Sequence, residues 1–188
     1  MILSADAYNE VVEREGWAAL CDVTANFTHP DLRRFMGLWR RATAQGLPAW
    51  DDLPPRLLKP YLLDTALYER VGKDGGRRWR VLKMGSHFAQ IMGDLSGKFI
   101  DEVVPAERLP RWYGSLDATL NSARPLRFLA RADLGGMPFL TGEYLTAPLI
   151  GDDGSASLVL SVARFTGGRV WDDVIVEARL ALGLGEPA

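Results

Sequence analysis

One cysteine, Cys21, and two histidines, His29 and His87, are present among the 188 residues. A single thiol excludes an internal disulfide framework and any zinc site built on several cysteines. No run approaches the roughly 18 consecutive apolar residues that a spanning helix needs, so no membrane segment is expected. Excess charge is also missing. The 22 Lys and Arg nearly balance 24 Asp and Glu, for a net charge of −2. A pI of about 5.7 gives no electrostatic reason to expect nucleic acid or an anionic membrane as partner. The start, MILSADAYNEVVEREG, turns acidic before an apolar stretch develops, so no secretory leader is expected and the location reads as cytoplasmic.

Apolar residues are plentiful at 47%, with six tryptophans, which is enough for a core. A chain of this length buries about 70% of its unfolded surface and reads as one domain with appendages. Residues 4–24 carry Ala7, Val11, Val12, Ala18, Ala19 and Val23 at roughly helical spacing, weakened by Gly16, and read as one helix. A second helix opens at Thr28-His29-Pro30-Asp31, where Thr28 suits a cap and Pro30 the first turn. Leu32, Phe35, Met36 and Trp39 form its stripe, and Gly46 ends it. The connector LPAWDDLPPRLLKP (47–60) leaves room only for a short turn around Arg56 to Lys59.

From Tyr61 the period becomes that of strands. YLLDTALYER, the turn GKDGG and RRWRVLKMG make a first hairpin. Three more runs span 125–134, 138–151 and 155–165, joined at Gly135-Gly136 and GDDG 151–154. The fifth run is nearly continuous at Leu158-Val159-Leu160, as expected when both faces are covered. The second and third alternate with arginines, as edges would. Strands 1 and 5 then lie in the middle, giving the order 2-1-5-4-3 in an α+β fold. Residues 86–124, between strands 2 and 3, form a helical crossover containing Leu109, Trp112, Tyr113, Leu116 and Leu120 on one helix face.

The segment MGSHFAQIMGDLSG (84–97) tests for chemistry. It lacks the Gly-Lys-Ser/Thr ending of a phosphate loop and the Gly-x-Ser-x-Gly spacing of a nucleophile elbow. Ser86 reads instead as the cap of a helix over about 87–92, ended by Gly93, with a turn at Ser96-Gly97. Paired carboxylates at Asp51-Asp52, Asp101-Glu102, Asp152-Asp153 and Asp172-Asp173 fall at turns or helix starts. None of these pairs sits in an apolar run that would tune it for acid/base work, so no catalytic residue is assigned.

The sheet order with helices between its second and third strands resembles the PAS family. More closely, His29-Pro30-Asp31-Leu32, Gly85-Ser86, Ser96-Gly97, Pro148-Leu149 and Asp153-Gly154 resemble a bacterial branch that opens on a His-Pro-x-Leu helix. The resemblance covers residues 29–165, leaving an N-terminal helical extension at 1–28 and a partly helical tail at 166–188. It implies a sensory module whose pocket lies under the crossover helices. Candidate pocket residues are Trp79, His87, Phe88, Trp112, Tyr113, Arg127, Arg131 and Tyr144. Arg127 and Arg131 would project from one face of the third strand toward a carboxylate or phosphate, or else form a solvated edge face or pair with Glu143 across the hairpin. His87 is weighed against a solvent-facing place at the helix start.

The resemblance also argues against two cofactors. Flavin-based relatives use a cysteine in the crossover, and haem-binding relatives a histidine in its long helix. The crossover has no cysteine and residues 106–124 no histidine, so no cofactor is expected beyond an unidentified small molecule. No output domain is expected in the short flanking segments. A signal would leave through a homodimer or a partner protein, by way of residues 4–24 or the tail VWDDVIVEARLALGLG. The rival readings are a ligand-free interaction domain and a small cavity enzyme.

Overall fold

The computed structural model describes residues 4–42, 46–72, 76–132 and 139–185. Helix α1 (Ala5–Glu15) is capped by the Ser4 hydroxyl, which accepts from the Ala7 amide at 3.2 Å. It ends at Gly16, whose φ of 64° is the left-handed geometry that glycine adopts without a Cβ penalty. The single helix expected over 4–24 is therefore two elements. Beyond the glycine, Ala19–Asp22 forms strand β1, buried at all four positions.

Helix α2 (Pro30–Ala42) opens with proline as anticipated. Its cap differs: the Asp31 amide donates to His29 Nδ1 at 3.2 Å, while the Thr28 hydroxyl donates to the Glu143 carboxylate. The Pro-rich connector supplies a short turn at Trp50–Asp52, α3 (Pro55–Leu58) and a second turn at Leu62–Asp64. Strands β2 (Thr65–Val71) and β3 (Arg78–Met84) pair antiparallel with a register shift at Leu67/Tyr68. Part of the GKDGG turn, like Gly135-Gly136, lies outside the described residues.

The crossover contains α4 (Ser86–Met92), α5 (Ile100–Val103) and α6 (Leu109–Ser122). The cap of α4 is Gly85, not Ser86, and no side chain completes it. Glycine is required there by contact. A Cβ would lie 2.1 Å from the Leu62 carbonyl oxygen and 2.4 Å from that of Leu63. Strands β4 (Leu126–Arg131), β5 (Thr141–Ile150) and β6 (Ala156–Thr166) follow, and then helix α7 (Trp171–Ala181).

All strands join one antiparallel sheet in the order β1-β4-β5-β6-β2-β3. The five expected strands occupy the last five places, and a sixth lies beyond them. β4 is thus an interior strand, flanked by β1 and β5, rather than the expected edge. Alternation along β5 and β6 divides the core into two layers. On the outer face Leu145, Ala147, Leu149, Leu158, Leu160 and Val162 pack under Leu32, Phe35 and Trp39 of α2. On the inner face Ala66, Tyr68, Trp79, Val81, Val159 and Ala163 meet Phe88, Ile100, Trp112 and Leu116 of the crossover. A third cluster seats Tyr8, Val11 and Val12 of α1 against Ala118, Leu126 and Phe128.

Candidate functional site

The inner layer is not completely filled. Between α1, α4, α6 and the sheet lies a cavity of about 80 Å³. Phe88, Met92, Trp112, Leu116 and Phe128 give it apolar walls, and Tyr8, Tyr68, Ser115, Tyr144, Thr146 and Ser161 add hydroxyls. The aromatic rings hold one another in tilted or edge-on pairs. Tyr68–Trp112 centroids lie 6.4 Å apart, Phe88–Tyr144 6.2 Å and Tyr8–Phe128 5.1 Å. Gly142 leaves room for the Tyr144 ring, since a Cβ there would come within 2.4 Å of it. The Thr119 and Thr146 hydroxyls are 2.7 Å apart and tie α6 to β5 beside the cavity. Burial pushes the phenols of Tyr8 and Tyr68 well above the ordinary tyrosine range, so both stay neutral at physiological pH.

Of the eight candidate residues, Phe88, Trp112, Arg131 and Tyr144 border this cavity and the other four do not. Trp79 is buried in the inner layer, its indole N–H donating to Asp117 Oδ1 at 3.2 Å. His87 is exposed at the start of α4, with Nδ1 3.2 Å from Asp64 Oδ1. Tyr113 lies toward Trp79, Asp101 and Asp117, its hydroxyl buried and its phenol pushed up by that burial.

Arg127 and Arg131 do not share a site. Both fall on one face of β4 by alternation, but Arg131, its last residue, is among those bordering the inner cavity and Arg127 among those lining an outer-face cleft. There Arg127 Nε donates to Glu143 Oε1 at 2.5 Å and Nη1 lies 3.4 Å from Asp22 Oδ2, all three residues being buried. This ion pair belongs to an outer-face cleft of about 400 Å³ beneath α7. Its cations are answered locally. Arg164 meets Asp31 at 3.2 Å and Asp64 at 2.7 Å, and Arg169 meets Glu177 at 2.8 Å.

The residue reading missed Tyr8, Tyr68 and Arg111 of the cavity, and it missed Asp117. Burial raises the Asp117 carboxyl, opposed by the Trp79 hydrogen bond and by the charges of Arg70 and Arg77. Its signal was being the single acid of the α6 run LPRWYGSLDATLNS. No group of three or more His, Cys, Asp or Glu able to hold a metal occurs among the described residues. No helix among them is long and apolar enough to cross a membrane.

No protein-family model matches the chain, and no curated protein does. Among solved structures it is similar to an RNA-binding light-oxygen-voltage receptor, at 12% identity and a TM-score of 0.47. That match covers 87% of this chain and 43% of the receptor, so the chain spans less than half of that protein. It is also similar to the light-state LOV domain of the blue-light photoreceptor Aureochrome1, at 12% identity, TM-score 0.41, 66% of this chain and 98% of that one. A sensory box histidine kinase/response regulator from Burkholderia thailandensis E264 matches at 16% identity and TM-score 0.34, over 67% and 90% of the two chains.

Proposed function

We propose that this chain is a PAS-like regulatory module of the branch marked by His29-Pro30-Asp31-Leu32, binding a small molecule in its inner cavity and signalling by protein contact. The observation that carries this reading is the placement of the cavity. A molecule there touches Phe88 of α4, Trp112 of α6 and Tyr144 of β5 together, so occupancy bears on how the crossover seats on the sheet. Among the described residues the lining contains no Asp, Glu or His, and its two buried phenols stay neutral. Without a group placed for proton transfer, the reading is of binding rather than turnover.

Haem and flavin do not fit this arrangement. At about 80 Å³ the cavity is far smaller than the roughly 300–1,000 Å³ of sites for drug-sized ligands. The crossover also carries no cysteine. In this reading the module is cytoplasmic, and its signal leaves through a homodimer or a partner protein. The tail offers an apolar surface, with Leu180 59% and Leu184 42% exposed. The small cavity volume equally favours the rival, a ligand-free interaction domain. Native mass spectrometry of freshly purified protein separates the two. A small adduct lost on denaturation, with no visible absorption band, is expected. Protein that carries no adduct and shows no ligand-induced NMR shifts refutes the sensing role, and a stoichiometric flavin or haem spectrum refutes the cofactor assignment.

A further inference from the structure

We infer that the inner cavity takes an uncharged molecule, a short apolar body carrying a carbonyl-type oxygen, with that oxygen held by the hydroxyls of Tyr68 and Ser161. The inference rests on the ligand-binding reading above and adds the chemistry of the ligand. Both residues line the cavity, and each is 3% exposed. Register brings them together. Ser161 of β6 pairs with Ala66 of β2, and Tyr68 lies two residues further along β2 on the same inner face. Other hydroxyls of the lining are already used. Ser115 Oγ donates to the Trp112 carbonyl at 2.9 Å, and the Thr146 hydroxyl is 2.7 Å from that of Thr119. Among the described residues the Tyr68 and Ser161 hydroxyls meet no such partner, and burial and a neighbouring phenol, with no hydrogen bond, act on Tyr68. Tyr8, 1% exposed, adds a third hydroxyl from α1 beside Phe128. Buried donors without acceptors cost stability, and a carbonyl oxygen has two lone pairs to offer them.

The walls decide the charge of the ligand. Among the described residues the lining holds no Asp, Glu, His or Lys. Arg111 and Arg131, which also border the cavity, have partners of their own. An ion would therefore lose its hydration without gaining an answering charge. Water alone fits the walls poorly. A volume of about 80 Å³ has room for roughly five to eight water-sized positions, each wanting two to four polar partners. Positions against Phe88, Leu116 and Phe128 would find none, whereas a small ketone sets its carbons there and its oxygen on the hydroxyls.

The test titrates the full chain, by calorimetry and by NMR of the tryptophan indole groups, with three probes of one shape. These are butanone, propanoate, in which a charged oxygen replaces a methyl group, and 2-methylbut-1-ene, in which a methylene replaces the carbonyl oxygen. Saturable butanone binding is expected, with propanoate about tenfold or more weaker. Tyr68→Phe and Ser161→Ala should each weaken butanone about fivefold, the worth of one neutral hydrogen bond, and leave the alkene unchanged. Propanoate binding as tightly as butanone would overturn the assignment of an uncharged ligand and leave the sensing role standing. Butanone binding that both substitutions leave unchanged would overturn it too, by reducing the cavity to an apolar hole. If no probe perturbs the protein, both this inference and the sensing role fall. The comparison of butanone with propanoate needs no variant, so it decides the question even where a substituted chain does not fold.

Discussion

The Glu143 carboxylate takes four donors. Oε1 accepts from the Thr28 amide at 2.7 Å and Arg127 Nε at 2.5 Å, and Oε2 from the Thr28 hydroxyl and the His29 amide, each at 2.9 Å. Burial pushes this carboxyl up, but the amides and the guanidinium together outweigh burial and hold it below its ordinary 4.5. A carboxylate depressed on folding stabilises above its unfolded pKa, and that stability is lost as pH falls through the folded value. Glu143 should thus make the protein acid-labile below about pH 4.5. Glu143→Gln should cost about 3 kcal/mol at pH 7, because buried Arg127 loses one of the two carboxylates it meets among the described residues. Urea melts at pH 7 and pH 4 check this: the gap between wild type and variant should narrow on acidification, and a constant gap would contradict it. Half of this site was legible in the sequence. The Arg127–Glu143 pair follows from two strands of one hairpin. The Thr28 donors lie 115 residues away in sequence, and a Thr before His-Pro fits an ordinary cap so well that no local rule redirects it. Gly85-Ser86 misleads in the same way, for the glycine is needed by carbonyl oxygens of a preceding turn that local spacing does not reveal.

Strand β1 was hidden for a different physical reason. Its four residues, Ala-Leu-Cys-Asp, are all buried, and a short apolar run covered on both sides has no period to distinguish strand from helix. What makes it a strand is its pairing with β4, from Ala19↔Ala130 to Asp22↔Arg127, together with Asn9. The Asn9 side chain donates Nδ2–H to the Cys21 carbonyl and accepts the Cys21 amide on Oδ1, both at 2.8 Å. One side chain thereby satisfies both backbone groups of Cys21, as a neighbouring strand would, and shields an edge that otherwise invites intermolecular pairing. Asn9→Ala leaves a donor and an acceptor unpaired and should cost about 2 kcal/mol. Chemical denaturation checks the loss, and hydrogen exchange at Cys21 should quicken more than at Phe128, its registered partner in β4. A variant within about 0.5 kcal/mol of wild type would show that water replaces the asparagine without loss. The later strands, by contrast, were readable because their hairpins are local and their alternation is complete.

Over the whole molecule, the reading of the sheet as covered on both faces is met by the chain's own elements. Its outer face lies under α2, and its inner face under the crossover. That removes one premise for placing residues 4–24 at a dimer seam, since α1 lies beside α6 with Tyr8 1%, Val11 5% and Val12 7% exposed. The apolar face of α1 is spent inside the subunit. The proposed homodimer must then use other surfaces, such as the exposed Leu62 and Leu63 or the leucines of the tail. Deleting residues 1–24 removes β1, the Asp22 partner of Arg127 and the cover over Leu126 and Phe128. Each large apolar side chain uncovered costs about 1.5–3 kcal/mol, so several together exceed a typical reserve of about 5–15 kcal/mol. The truncated chain should fail to fold cooperatively, read as loss of near-ultraviolet dichroism and of a sharp thermal transition. Light scattering of the intact protein then tests the homodimer separately, with twice the chain mass expected at high micromolar concentration. A truncated chain that still melts cooperatively would make α1 and β1 an appendage rather than part of the core. An intact chain that scatters as a monomer would end the homodimer and leave a partner protein as the outlet for the signal.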